Sequence, residues 1–270
     1  MSGARLKHVS NAPIGGTEFE DYMVHVDRYG LRGHGGPQDI YEISAIQRYA
    51  IGTRVTSPDG RVFRYAKSGA ACYTGQGCAF YQDVAIAANC AFAVAATGRE
   101  ISFATQTFAK NELAGGYITI YGGTPANADC PHRLIISNNA CSAATLTLVL
   151  DGAVGRIVTA ATFCEVYYNP YADLRLGTKT TESFAGVAAT YVNAANLYFW
   201  VQTWGPCWIA PQVASFNSGE YRDAYFRHDG SIQAYSADQS DPYALNKQRA
   251  GFIMQTGLTA GPLLMLQVSP

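Results

Sequence analysis

Glycine and proline cut this chain into pieces too short for a long helix, and the pieces between them alternate. In Thr145-Leu-Thr-Leu-Val-Leu150 nearly every second residue is apolar, the period of a strand with one face buried. Glycine pairs at 115–116 and 122–123 bracket Tyr117-Ile-Thr-Ile-Tyr121. Two runs rich in β-branched and aromatic residues, Thr53–Ser57 and Arg61–Tyr65, flank Pro58-Asp59-Gly60. Proline presets φ, aspartate closes a local hydrogen bond and glycine takes the positive dihedral, so this segment predicts a hairpin. The Ala-rich stretch 79–97 has no clean helical period and is flanked by Gly77 and Gly98, so it also reads as strand. Further strands are expected at 101–107, 133–137, 164–168, 197–204, 251–256 and 263–268. Short strands with Gly/Pro punctuation specify an all-β sandwich or barrel.

Three regions are expected. Residues 1–44 read as a Gly-rich extended N-terminal arm, with Gly15, Gly16, Gly30, Gly33, Gly35 and Gly36, then Pro37. One strand is expected in it near Phe19–Val26. Such an arm buries little by itself and is ordered by lying on a neighbour or on its own body. Residues 45–196 read as a β-rich main domain, and 197–270 as a small C-terminal β-barrel-like region.

Charged residues make up 14% of the 270, against about 25% in ordinary globular proteins. The chain therefore covers its surface with Thr, Ser, Asn and Tyr, or hides surface against partners. The net charge of −1 offers no basic field for nucleic acid. No apolar run approaches the ~20 residues that span a membrane. Met1–Asp21 has no apolar core of a signal peptide, so synthesis in a host cytoplasm is expected. Seven cysteines (72, 78, 90, 130, 141, 164 and 207) form no C-x-x-C pair. They read as buried thiols rather than zinc ligands, with one or two disulfides as the alternative in an oxidising medium.

Catalytic patterns are missing. There is no G-x-S-x-G elbow, no H-E-x-x-H and no phosphate-binding loop. Gly30-x-x-Gly33-x-Gly35-Gly36 neither follows a strand nor opens a helix. His8, His25 and His34 fall in the arm, and His132 and His228 sit beside turns. Glu112, Asp151, Glu165 and Glu182 are scattered, whereas glycoside chemistry needs two carboxyl groups held about 5–9.5 Å apart. No catalytic, cofactor-binding or metal residue is assigned. In Tyr198-Phe-Trp-Val-Gln-Thr-Trp204, Tyr198, Trp200 and Gln202 share one face and Phe199, Val201 and Thr203 the other. This run reads as core and subunit interface. Exposure of Trp200, Trp204 or Trp208 would instead favour a carbohydrate platform.

Four strings resemble virion proteins encoded near capsid genes in environmental tailed phages. They are Gly52-Thr-Arg54 with Asp59-Gly-Arg-Val-Phe-Arg-Tyr-Ala-Lys-Ser-Gly-Ala70, Asn111-Glu-Leu-Ala-Gly-Gly-Tyr117, Tyr198-Phe-Trp-Val-Gln-Thr-Trp-Gly-Pro206, and Ala250-Gly-Phe-Ile-Met-Gln-Thr256. Residues 200–270 are also similar to the small barrel of capsid decoration proteins. The resemblance implies a β-rich, non-enzymatic decoration protein on the outer capsid surface, with no catalytic residues to carry over. Its implied partners are the major capsid protein and copies of itself, by analogy as a trimer, with a surface glycan as a further ligand. The alternatives are a major capsid, tail tube or fibre protein, or a carbohydrate-binding β-sandwich used for host adhesion.

Overall fold

A computed structural model describes residues 25–26, 33–34, 38–81, 84–121, 130–179, 181–211, 222–234, 245–256 and 261–270. All regular structure among them is strand: the fold is all-β, as expected. The described chain divides into two compact units. Residues 82–170 make the smaller one. The described residues before Gln82, together with Tyr171–Pro270, make the larger, so the smaller is an insertion in its sequence. At the point of insertion the rings of Phe80 and Tyr171 pack edge to face, 6.1 Å apart.

In chain order the strands before the insertion are β1 (His25–Val26), β2 (Gly33–His34), β3 (Arg54–Thr56), β4 (Val62–Lys67) and β5 (Gly77–Phe80). The smaller unit holds β6 (Val84–Asn89), β7 (Glu100–Phe108), β8 (Tyr117–Tyr121), β9 (His132–Asn138), β10 (Cys141–Leu150) and β11 (Phe163–Tyr167). The chain continues through β12 (Leu174–Leu176), β13 (Phe184–Ala188), β14 (Tyr198–Trp208), β15 (Asp223–Arg227), β16 (Ile232–Ala234), β17 (Leu245–Gln255) and β18 (Leu263–Gln267).

The smaller unit is one antiparallel sheet in the order β6-β11-β8-β9-β10-β7. Alternation decides its faces. Leu146, Leu148 and Leu150 of β10 turn inward with Ile118 and Ile120 of β8, all buried; each such side chain contributes about 1.5–3 kcal/mol. Buried Asn138 ties the turn before β8 to β9. Its Oδ1 accepts from Leu113 N at 2.9 Å and its Nδ2 donates to Ala109 O at 2.8 Å. In the same core the thiols of Cys90 and Cys164 touch, Sγ to Sγ 3.2 Å. The hydrogen bond that Cys164 donates to Cys90, then burial, push the Cys164 thiol far above the ordinary thiol range.

Besides the separate β1-β2 pair, the larger unit holds a ten-stranded sheet with the path β12-β5-β13-β14-β18-β17-β15-β16, and the β3-β4 hairpin attached to β14. The hairpin turns at Pro58-Asp59-Gly60 as expected: Ser57 N bonds Arg61 O, and Gly60 takes φ +86°. Strand β14 joins the parts. It pairs with β4 through Tyr198–Trp204, with β13 at Val201 and Gln202, and with β18 from Trp204 onward. Phe199, Trp200, Val201, Gln202 and Thr203 are all buried, so both faces of β14 are core. Gln202 spans the register shift beside it, donating Nε2 to Trp204 O and Pro206 O. Gly251 of β17 carries φ +154°, and a Cβ there would lie 1.9 Å from Met265 O. Only glycine lets β17 and β18 approach this closely.

Two expected boundaries move. The break expected after residue 196 does not separate compact units, because it would cut β14 away from β4, to which it is hydrogen-bonded. The strands expected to form a small C-terminal barrel belong to the same large sheet. Residues 38–44, read as arm, belong to the body. Ser44 and Tyr198 exchange two backbone hydrogen bonds of 2.9 and 2.7 Å. Gln38 is buried, donates to Glu42 O and Tyr198 O, and accepts the Tyr65 hydroxyl at 2.6 Å. The arm's strand near Phe19–Val26 is described only as His25-Val26, paired with Gly33-His34. The rest of the arm expectation, residues 1–24, 27–32 and 35–37, lies outside the described residues.

Trp200 packs against Tyr65 and Tyr49, with ring centroids 5.0 and 5.2 Å away. Trp200→Ala is expected to cost about 3–5 kcal/mol, read as a lower urea midpoint with little change in slope. Burial pushes the Tyr49 phenol up to about 12 and raises that of Tyr65 as well. These phenols hold their protons more tightly folded than unfolded, so their stabilisation is complete below the unfolded pKa of about 10. The Tyr49 part disappears as pH rises through about 12, and the Tyr65 part at still higher pH. Alkaline unfolding followed at 295 nm is therefore expected to release these phenols together with the loss of structure, later than the exposed tyrosines.

Candidate functional site

The aromatic run expected as core or platform is divided by the fold. Trp200 is fully buried and Trp204 half-buried, whereas Trp208 is 44% exposed. The Trp208 ring lies over Gly75, where a Cβ would come within 2.3 Å of it. Tyr73 and Tyr191, also exposed, stack on each other at 5.4 Å. Trp208 thus meets the condition for a carbohydrate platform, and Trp200 does not.

Three of the four singled-out carboxylates accept backbone hydrogen bonds, Glu112 and Glu182 within turns and Asp151, just past β10, from β9. Glu112 accepts from Ala109 N at 2.7 Å, Asp151 from Leu134 N at 3.3 Å, and Glu182 from Thr178 N and Lys179 N at 2.7 and 3.1 Å. Each satisfies backbone donors near an element end. His228 sits in the turn between β15 and β16. His25 and His34 lie in β1 and β2, and His8 lies outside the described residues.

Glu165 and His132 are placed differently. The inner face of the small sheet is filled by Ile118, Ile120, Cys164 and Val166. By strand alternation Tyr117, Thr119 and Tyr121 of β8, and Phe163, Glu165 and Tyr167 of β11, occupy the opposite face. The register sets Tyr121 beside Phe163, Thr119 beside Glu165, and Tyr117 beside Tyr167. On the other side of β8, Thr119 stands opposite His132 and Tyr117 opposite Leu134. Phe163 and His132 are exposed and the others half-buried.

Hydrogen bonds order this face. Glu165 Oε2 accepts the Tyr121 hydroxyl at 3.1 Å and also the Tyr167 hydroxyl. Thr119 Oγ1 bonds His132 Nδ1 at 3.1 Å. The His132 ring stacks on Tyr117, centroids 5.0 Å apart and planes 13° from parallel. The Glu165 carboxylate holds the Tyr167 phenol above its ordinary pKa, because ionising it would lose the hydrogen bond that the phenol donates, with desolvation adding to the shift.

The register brings no second carboxylate opposite or diagonal to Glu165 on β6 or β8. Among the described residues no group of three or more His, Cys, Asp or Glu side chains is placed to hold a metal ion. In the sequence Glu165 stands only as one of several scattered carboxylates, and His132 as a residue beside a turn. The missed signal is a repeated pattern: Tyr117-x-Thr119-x-Tyr121 and Phe163-x-Glu165-x-Tyr167 both read aromatic-x-polar-x-aromatic. No protein-family model matches the chain, and no curated protein or solved structure does either.

Glu165→Gln keeps an acceptor for the two phenols but removes the charge. It is expected to bring the Tyr167 titration down toward about 10, measured from the pH dependence of the Tyr167 ring carbon signal by NMR.

Proposed function

We propose that this chain is a non-enzymatic structural protein of a tailed-phage virion, a decoration subunit that binds the outer capsid surface and stabilises the head. Its partners in this reading are the major capsid protein and further copies of itself. The observation that carries the reading is where the resembling strings fall. Three of the four, far apart in sequence, lie in one sheet: Gly52–Arg54 with Asp59–Ala70 in the β3-β4 hairpin, Tyr198–Pro206 in β14, and Ala250–Thr256 in β17. β4 is the direct neighbour of β14, and β18 alone stands between β14 and β17. Strings that describe one connected piece of sheet are what a shared structural module would leave.

Composition supports the same reading. A chain with 14% charged residues that exposes Ile46, Phe92 and Ile157 by 60% or more is suited to covering surface against partners. A subunit of this kind works by mass action on the assembled shell, favouring the state to which it binds. Repetition over a symmetric lattice turns weak single contacts into tight attachment.

Purified virions separated into heads and tails test this. The chain is expected in the head fraction in many copies per particle, open to surface biotinylation while the shell is intact. Recovery in tails alone, or protection from the reagent until the shell is opened, would overturn the placing.

A further inference from the structure

We propose that the face of the small sheet opposite its core binds a neutral oligosaccharide, centred on Glu165. This goes beyond shell attachment and does not depend on it. A sugar ring presents C–H groups on its faces and hydroxyls around its rim. A surface that recognises it needs flat aromatic area and hydrogen-bonding groups side by side. Neighbouring positions on one sheet face lie about 4.8 Å apart across strands and about 6.8 Å apart along them. That grid sets the rings of Tyr117, Tyr121, Phe163 and Tyr167 around Glu165 and Thr119.

The hydrogen bonds leave the site half-saturated. Both phenols converge on Glu165 Oε2, and Oε1 bonds to none of the described residues. A charged acceptor held in position by two donors, with its second oxygen open, suits a sugar hydroxyl. His132 spends Nδ1 on Thr119, which leaves Nε2 for a second hydroxyl. The His132–Tyr117 stack supplies a ring surface beside them.

Charge selects among ligands. Glu165 is the formal charge at the centre of the face, so an acidic sugar would meet repulsion. A cation would find a carboxylate already shared between two phenol donors. An apolar protein segment would bury Glu165 Oε1 without a partner, which is costly. A neutral, hydroxyl-rich ligand incurs neither cost.

Saturation-transfer NMR on the full chain tests the proposal, with cellohexaose and N-acetylchitohexaose as neutral probes and sialyllactose as the acidic one. Transfer is expected to at least one neutral probe and to be much weaker to sialyllactose. Tyr117→Ala and Glu165→Ala are each expected to weaken binding about tenfold, the loss of one charge-assisted hydrogen bond or its equivalent in ring contact. Glu165→Gln, which keeps the size and an acceptor, controls for folding and is expected to bind at an intermediate level. No transfer to either neutral probe would overturn the proposal. So would transfer that survives both alanine variants, or that is lost only in Trp208→Ala. Protection of Phe163 and Tyr117 from hydroxyl radicals in intact virions would overturn it too, by making this face a protein interface. The head-and-tail separation is independent of every one of these readouts.

Discussion

The pairing of β14 with three neighbours is the constraint on which the larger unit rests. A strand with both faces buried must satisfy all its backbone groups within the sheet, and β14 does so by taking β4 on one edge and β13 followed by β18 on the other. Its side chains then serve separate clusters. Phe199 and Val201 pack with Cys72 and Leu174, Trp200 packs with Tyr49 and Tyr65, and Cys207 packs with Phe226 and Leu264. Gln202 is the polar member that makes this workable, because its amide supplies the hydrogen bonds that the local register shift would leave unmade.

Local features of this architecture were legible in sequence. Pro58-Asp59-Gly60 marked the β3-β4 turn, and the Leu146, Leu148, Leu150 period told the inward face of β10. Both depend on neighbouring residues only. The division of the chain was not legible, because it depends on pairing between β4 and β14, which lie more than a hundred residues apart in sequence. The Ala-rich stretch from residue 79 spans the start of the small sheet, but composition does not say which strands pair.

The Glu165 face shows the same limit from the other side. The aromatic-x-polar-x-aromatic pattern is visible in each strand separately. That β8 and β11 are neighbours, in the register that sets Thr119 beside Glu165, is a property of the folded sheet. The exposure of Trp208 was not legible for a different reason. This residue ends the strand that buries Trp200, and only the glycine at position 75, with φ +73°, provides the space in which its ring lies.

The edge-to-face contact of Phe80 with Tyr171 has a consequence for how such a chain can change over generations. Departure and return of the polypeptide meet at one spot of the larger sheet, and closing a loop costs only slowly more as it lengthens. The intervening stretch can therefore be lengthened, shortened or exchanged wholesale without asking any strand of the larger sheet to find a new neighbour. The two stretches become separately heritable: what is written between Tyr81 and Tyr171 can drift while the residues that pair the larger sheet stay under their old constraints.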